Sequence, residues 1–376
     1  MPMWRLALKN LMYDRTRLFI TLTGITFSVG LILVQVGMFF GMTANSSTVI
    51  ENSPGDIWIM ARNSQNFDMV NPFSEALVSA AKSVKGVEWA ENLIQQFAYM
   101  RLENGGTEQI EIIGFDLNGH VGRPWNVIAG NTDELRGADA ILVDETAMDR
   151  LGKMQVGDSR ELVRKKVRIA GITSGIMSFT TAPYIFTSYE SAQRIVPEQL
   201  AGKTTYIVVK VLQDYPLKSV LNDLKKRFRN YDVRTKQEWA LKTRNYWTWQ
   251  TGIGAGFFGN ALMGFIVGLV IVSQTIYSAT MEHIREYGTL KAIGAKNTDV
   301  YSVILKQAGI SAGAGFLLAT LFQRLVILIK PVTVQIATPF SLYVVTFLLT
   351  LIMCGLAALV SVRRVASIDP VEVFKG

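Results

Sequence analysis

Residues 18–42 read LFITLTGITFSVGLILVQVGMFFGM, without a single charged side chain. A helix needs about 20 apolar residues to cross the hydrocarbon core of a bilayer, so this stretch is long enough to span it. The alternative is a cleaved signal peptide, whose apolar core is about 7–15 residues long and ends at a small-residue cleavage site. The run here is longer and lacks an Ala-x-Ala ending, which favours a retained first span (TM1) at 18–42.

Three further apolar runs lie in the second half of the chain. They predict spans two, three and four (TM2–TM4) at 249–281, 303–329 and 340–362. Trp247 just before span two and Trp249 at its first position are typical of an interfacial aromatic belt. At the other end of the chain, residues 1–17 place Trp4 and Leu8 on one helical face, which predicts a cytoplasmic interfacial helix. The alternative is that these residues only begin span one.

Basic residues set the expected orientation. They are concentrated before span one, in the 282–302 loop and in the 363–376 tail, and they are fewer between spans three and four. Because Lys and Arg flank the cytoplasmic ends of spans, we expect both termini and the 282–302 loop to be cytoplasmic. These flanks also account for the net charge of +8, so no nucleic-acid partner is expected. The chain is predicted to be a multi-pass protein of the bacterial inner (plasma) membrane.

The long segment 43–245 is predicted to be an extracytoplasmic domain. It has about 200 residues, which is enough for an independent core. Strand-like runs recur at 56–60, 110–115, 140–143, 167–172, 184–186 and 206–211, with helical stretches at 72–84 and 216–228. The fold class is therefore an α-helical membrane protein with four transmembrane helices and a large α+β periplasmic domain between helices one and two.

Catalytic and cofactor sites are not expected in this chain. The adjacent acids Asp144 and Glu145 fit the first turn of a helix better than an acid–base pair. His120 and His283 are far apart in the sequence and Cys354 lies in an apolar run, which argues against a structural zinc site. Residues 254–259 match G-x-G-x-x-G but lie at a membrane span, where that motif cannot cradle a dinucleotide. We therefore expect a non-enzymatic chain without a nucleotide-binding site of its own, so that any energy from ATP must come from a partner.

Glycines spaced four apart occur in the spans. Such pairs let helix backbones approach closely, either in a dimer seam or in a tight bundle within one chain. The pairs in spans one and two are the candidates for a dimer seam. They are Gly37, Gly41, Gly264 and Gly268.

The loop 282–295, EHIREYGTLKAIGA, is short and charged, and it lies between two spans. It resembles the loop signature of the MacB/FtsX/LolC-E family of ABC-transporter permeases. The end of the chain, with Asp369, Pro370 and Glu372, is similar to the terminal Asp-Pro-x-Glu motif of that family. The segments 245–247 and 264–272 are closest to the DevC-like subfamily, although Arg285 stands where DevC proteins tend to have an uncharged residue.

The resemblance implies a homodimer of four-span permeases that works with two cytoplasmic ABC ATPases. The 282–302 loop would then contain a coupling helix that docks on the ATPase. The resemblance assigns this role to Glu282, Arg285, Glu286, Tyr287, Gly288, Leu290, Lys291, Ala292, Ile293, Gly294 and Ala295. Without a partner, the same segment would be only a charged turn.

The resemblance also implies two possible functions. In the first, the chain drives export of a lipid, glycolipid or other amphiphile with an HlyD/MacA-like periplasmic adaptor and a TolC-like outer-membrane protein, in contact with membrane lipid. In the second, it is an FtsX-like transmitter that regulates a periplasmic hydrolase without transport.

Overall fold

The computed structural model describes residue 8 and residues 11–137, 139–180, 182–329 and 335–366, with the backbone alone at 290, 292 and 363–366. The chain forms two compact units. Residues 42–253 make up the first, called here the α+β domain, and the flanking segments up to 41 and from 254 onward make up the second, called the helical unit.

Among the described residues, four helices are long and apolar enough to cross a membrane, which confirms the predicted number of spans. They are α1 (Arg15–Asn45), α9 (Ile253–Glu282), α11 (Asn297–Ile329) and α12 (Phe340–Ala366). Most of the predicted interfacial helix at 1–17 and of the 363–376 tail lies outside the described residues.

Small buried side chains bring the four helices together. Ala308, Ala312 and Ala357 are at most 2% exposed, and they belong to a core with Ile25 and Val272. Because lipid tails are as apolar as leucine, close van der Waals packing of this kind holds membrane helices together.

The α+β domain is built on a mixed sheet with ten strands. Its order is β12-β1-β11-β3-β4-β9-β6-β8-β5, and β7 pairs with both β3 and β8. A two-stranded sheet, β10-β2, lies apart from this path. The strands are β1 (Ile57–Ala61), β2 (Phe73–Ser74), β3 (Val87–Arg101), β4 (Thr107–Phe115), β5 (Val127–Gly130), β6 (Ala140–Asp144), β7 (Ser159–Leu162), β8 (Lys165–Thr173), β9 (Tyr184–Ser188), β10 (Lys203–Thr204), β11 (Tyr206–Val211) and β12 (Tyr231–Thr235).

The short helices of the domain pack on this sheet. They are α2 (Thr48–Asn52), α3 (Leu77–Lys82), α4 (Met148–Leu151), α5 (Tyr189–Ile195), α6 (Pro197–Leu200), α7 (Leu217–Arg227) and α8 (Lys236–Asn245). Helix α7 forms where it was predicted, and it buries Val220, Leu221 and Leu224 on one stripe. The predicted helix at 72–84 is wrong in its first half, because residues 73–74 form β2.

The first and last strands of the main sheet are neighbours. Strand β1 pairs antiparallel with β12, so that Ile57 lies opposite Thr235. Just outside this pair, the Lys236 ammonium donates to the Ser53 carbonyl at 2.7 Å, and Arg244 donates to the Ser47 hydroxyl at 2.8 Å. The two ends of the domain are therefore tied together side by side.

Candidate functional site

A nine-residue helix, α10 (Ile284–Ala292), follows span two after a single break at His283. The break is local, because the Tyr287 amide still donates to the His283 carbonyl at 3.1 Å. At the other end, the Gly294 amide donates to the Lys291 carbonyl at 3.0 Å, with Gly294 at φ 101°. Glycine takes this left-handed conformation without strain, so Gly294 ends α10 and turns the chain toward span three.

One face of α10 is turned into the helical unit. Tyr287 is 2% exposed and belongs to its hydrophobic core, and Gly288 beside it is buried. Both were predicted to contact the ATPase. In the single chain both lie against the bundle to which α10 belongs, and their coupling role stays a prediction.

The opposite face of α10 is open to solvent. Arg285, Glu286 and Thr289 are exposed, and the Ile293 side chain just past the helix end is 80% exposed. Gly294 is exposed as well, whereas Lys291 and Ala295 are half-buried. For Leu290 and Ala292 the described structure gives the backbone only. The coupling role of the whole predicted set stays a prediction.

An ion pair joins the end of span two to the start of span one. Arg17 lies 2.5 Å from the Glu282 carboxylate, and the Asp14 side chain accepts from the Arg17 amide at 3.0 Å. His283 contacts Glu286 at 3.0 Å. Because Glu282 is largely exposed, its pair with Arg17 is worth at most about 1 kcal/mol. The pair therefore adds little stability and connects the last residue of span two to the start of span one.

The four predicted dimer-seam glycines have close neighbours within their own chain. A methyl group at Gly264 would lie 3.1 Å from Leu31, and one at Gly268 would lie 2.6 Å from the Ser28 hydroxyl. Gly37 faces Ile336, and Gly41 faces the Gln335 backbone. These contacts favour the tight-bundle alternative, because the space beside each glycine is already filled by the same protomer.

A second group of residues, which the sequence did not reveal, lies inside the α+β domain. Asp68 and Glu111 are buried, at 2% and 0% exposed. Gln95 and Ser178 donate to the Glu111 carboxyl at 2.7 and 3.0 Å, and the Trp247 indole donates to Asp68 at 3.1 Å. Within the described ranges, three or more His, Cys, Asp or Glu side chains never cluster as a metal site would require.

Burial changes the acidity of this pair. It raises the pKa of Asp68 to about 7. Burial and the nearby charge of Asp68 together hold the pKa of Glu111 well above its usual range. A carboxyl group removed from water favours its neutral form, and two adjacent carboxyls cannot both ionise at low cost. The acid pair is therefore a proton-holding group within the core of the domain.

Comparison with known proteins shows what the whole chain is similar to. Residues 18–227 match the family described as MacB-like periplasmic core domain, and residues 258–370 match the family described as FtsX-like permease C-terminal. An uncharacterized ABC transporter permease of Methanocaldococcus jannaschii is 20% identical, over 98% of this chain and 96% of the relative. One from Mycobacterium tuberculosis is also 20% identical, over 98% of this chain and 99% of the relative.

Two solved domain structures are similar as well. The periplasmic region of MacB from Actinobacillus actinomycetemcomitans is 11% identical, with a TM-score of 0.38, over 51% of this chain and 95% of that chain. The extracellular domain of the noncanonical ABC-type transporter YknZ from Gram-positive bacteria is 15% identical, with a TM-score of 0.36, over 48% of this chain and 98% of that chain.

The two family matches cover both units of the chain. Permeases of ABC transporters are generally non-catalytic membrane subunits, and the family implies a partner ATPase and a dimer. The chain belongs to the family of ABC-transporter permeases that join a MacB-like periplasmic core domain to an FtsX-like permease region.

Proposed function

We propose that this permease transmits the motion of a cytoplasmic ATPase to its α+β domain, and that this work drives export of a lipid, glycolipid or other amphiphile. The observation that carries the proposal is the two-sided helix α10. Its inner face is fixed by the buried Tyr287, and its outer face presents Arg285, Glu286 and the apolar Ile293 to solvent.

An exposed apolar side chain beside charges suits a protein contact. Isoleucine at 80% exposure gains free energy when a partner buries it, because about 25 cal/mol is gained for each Å² of apolar surface removed from water. Arg285 and Glu286 can fix the register of the partner through complementary charges. The proposed occupant of this surface is a groove on each of two ABC ATPases, which bind ATP and Mg.

Span two is the element that would carry the motion of α10 onward. Helix α9 has 30 residues and is therefore about 45 Å long at 1.5 Å per residue, well beyond the hydrocarbon core. A helix of this kind can carry a displacement along its axis as a rigid rod. With α10 in the cytoplasm, as the distribution of Lys and Arg favours, the motion would be carried toward the periplasmic α+β domain.

The spans contain few charged side chains that could line a pathway for a polar substrate. Residues 18–45, 253–281 and 340–362 carry no charged side chain, and the described part of span three contains Lys306 and Arg324. Charged side chains normally mark substrate pathways inside membranes. An apolar groove of 510 Å³ lies instead within the helical unit. It is lined among others by Val36, Phe258, Phe265, Leu342 and Val345. Both features favour an amphiphilic cargo that is handed to an HlyD/MacA-like adaptor and a TolC-like duct.

The test is a complex of the permease with its ATPase in lipid nanodiscs. Ile293→Asp places a charge on the proposed docking surface, and we expect it to abolish the stimulation of ATP hydrolysis by the permease. The matched control is Asn297→Asp, which adds the same charge at an exposed residue beyond the Gly294 turn and should leave stimulation intact. If Ile293→Asp stimulated ATP hydrolysis as strongly as Asn297→Asp and the native chain, the docking role of α10 would be overturned.

The cargo is tested in the same preparation. Stimulation that needs both an adaptor and an amphiphile supports export, and it also supports the DevC-like subfamily. Stimulation that is indifferent to amphiphiles and needs no adaptor would overturn the export proposal in favour of an FtsX-like transmitter that acts on a periplasmic hydrolase.

A further inference from the structure

The buried acids Asp68 and Glu111 have no described cation to neutralise them. The titratable side chains that act on the pair are the phenols of Tyr184 on β9 and Tyr206 on β11. Burial and then the charges of the two acids raise the pKa of both phenols well above their usual range. The phenols therefore stay neutral, and a proton is the neutralising species that the pair can take up.

The hydrogen-bond arrangement also favours a proton. Glu111 receives hydrogens from Gln95 at one oxygen and from Ser178 at the other. Asp68 receives one from Trp247 at Oδ2, while its Oδ1 is buried without a described donor. The two carboxyl groups are close enough for the charge of Asp68 to raise the pKa of Glu111, and two such neighbours cannot both ionise at low cost. Burying the unpartnered Asp68 oxygen beside a second charged carboxylate is costly, so we expect the folded domain to hold one proton on the pair.

Trp247 connects the acid pair to a special segment of backbone. It lies in a π-helical turn, Tyr246–Gln250, which directly follows α8 and precedes span two. Its ring stacks on Phe179 with centroids 4.3 Å apart, and its carbonyl accepts from the Thr251 hydroxyl at 2.7 Å. Single π-helical turns are rare and occur often at functional sites. The indole of Trp247 is therefore the point at which this turn is attached to the core.

We propose that Asp68 and Glu111 form a proton-binding site, and that a second proton on the pair weakens the attachment of Trp247 and so loosens the π-helical turn before span two. With one proton on the pair, Asp68 is a carboxylate, and its bond from the Trp247 N–H is charge-assisted. With two protons, Asp68 is neutral, and the bond loses about half its strength.

The sign of the response follows from the direction of the pKa shifts. Burial raises the pKa of Asp68 to about 7, so the second proton binds as the pH falls through this value. Acid outside the membrane would weaken the hydrogen bond from Trp247 to Asp68 and so loosen the π-helical turn. Alkaline conditions would strengthen the bond and hold the turn in place. This last step rests on the proposed function, because only there do the α+β domain face the periplasm and span two act as a lever.

The site itself is tested on the permease alone, without ATPase. The full chain is labelled with fluorotryptophan and placed in nanodiscs, and Trp247→Phe assigns the Trp247 resonance. We expect the fluorine signal of Trp247 to titrate between about pH 5 and about pH 9 with a midpoint near the raised value. Asp68→Asn keeps an acceptor for the indole but cannot take up a proton, so it should abolish the titration.

Two further variants keep this test decisive. Glu111→Gln holds the neutral form of Glu111, and it should leave a single titration at a shifted midpoint; it also serves if Asp68→Asn does not fold. Glu88→Gln removes an exposed carboxyl on β3 and should change nothing. A Trp247 signal that does not titrate in the native chain, or that titrates unchanged in Asp68→Asn, overturns the proton site.

The regulatory consequence has a separate readout. The permease-stimulated part of ATP hydrolysis, measured against pH, should follow the Trp247 midpoint and lose this dependence in Asp68→Asn. A titrating Trp247 with no change in stimulation would overturn the regulatory step and leave the proton site standing. Failure of ATPase coupling altogether would refute the proposed function and not the site.

Discussion

The two faces of α10 predict opposite behaviour for two residues six positions apart in the chain, and truncation to alanine separates them. Tyr287 is 2% exposed in the core of the helical unit. Truncating a buried aromatic residue costs about 3–5 kcal/mol, so Tyr287→Ala should unfold at a markedly lower temperature. Tyr287→Phe keeps the ring and should cost at most about 1.5 kcal/mol, the usual net contribution of a hydroxyl hydrogen bond.

Ile293→Ala should leave stability nearly unchanged and should weaken the binding of the ATPase. Because the side chain is 80% exposed, its truncation should change the free energy of unfolding by less than about 0.5 kcal/mol. If the ATPase buries it, the three lost carbons are worth about 2.4 kcal/mol at about 0.8 kcal/mol each. This corresponds to about 60-fold weaker ATPase binding.

The assay pairs thermal unfolding in detergent with a titration of ATPase onto immobilised permease. Ile293→Ala should have a native melting midpoint and a weakened dissociation constant. Tyr287→Phe should be nearly native in both. If Ile293→Ala bound the ATPase within twofold of the native chain, the argument that this exposed side chain is a docking anchor would be refuted.

Three other outcomes are expected. Gly268→Val should destabilise the helical unit by about 1–3 kcal/mol through overpacking against Ser28 and Met353, as measured by thermal unfolding; a native midpoint would contradict the tight-bundle packing. Thr235→Ala should cost about 1 kcal/mol in the same assay, because it removes the capping box at the start of α8, whereas Thr235→Ser should cost little. As the pH rises from about 5 to about 7, the raised pKa values of Asp68 and Glu111 mean that the folded domain holds more protons than the unfolded chain, so the free energy of unfolding should decline, with up to about 1.4 kcal/mol per pH unit from each acid. Asp68→Asn should reduce this slope by the share of Asp68, and an equal slope in both proteins would show that Asp68 does not titrate in this range.

Much of the architecture could be predicted because membrane spans and short caps are local. The four apolar runs are long enough to identify without any tertiary information. Asp144 was expected at a helix start, and it accepts from the Thr146 amide at 3.0 Å there. Five of the six predicted strand-like runs lie within strands of the main sheet, and the sixth, 56–60, coincides with β1 from residue 57 onward. Each of these features depends on residues that are close together in the chain.

The sequence could not reveal features that depend on which face of an element meets which neighbour. Tyr287 lies in a charged loop, and only the packing of α10 shows that it is buried. Strand β3, the longest of the sheet, mixes polar and apolar residues at Val87–Arg101 and does not alternate strictly, so no period-two pattern marked it. Asp68 and Glu111 are brought together by tertiary structure alone. A buried carboxyl has the same one-letter code as an exposed one.

The pairing of β1 with β12 determines how the α+β domain yields to force. Both of its chain ends leave from the same end of this antiparallel pair, at Ile57 and Thr235. Pulling the ends apart would load the ladder one hydrogen-bonded pair at a time, as in a zipper, and would not shear all of its bonds together. The contacts from Lys236 to Ser53 and from Arg244 to Ser47 would have to break first. A modest tension could therefore open this edge while the rest of the sheet stays folded, and the edge could close again when the tension is released.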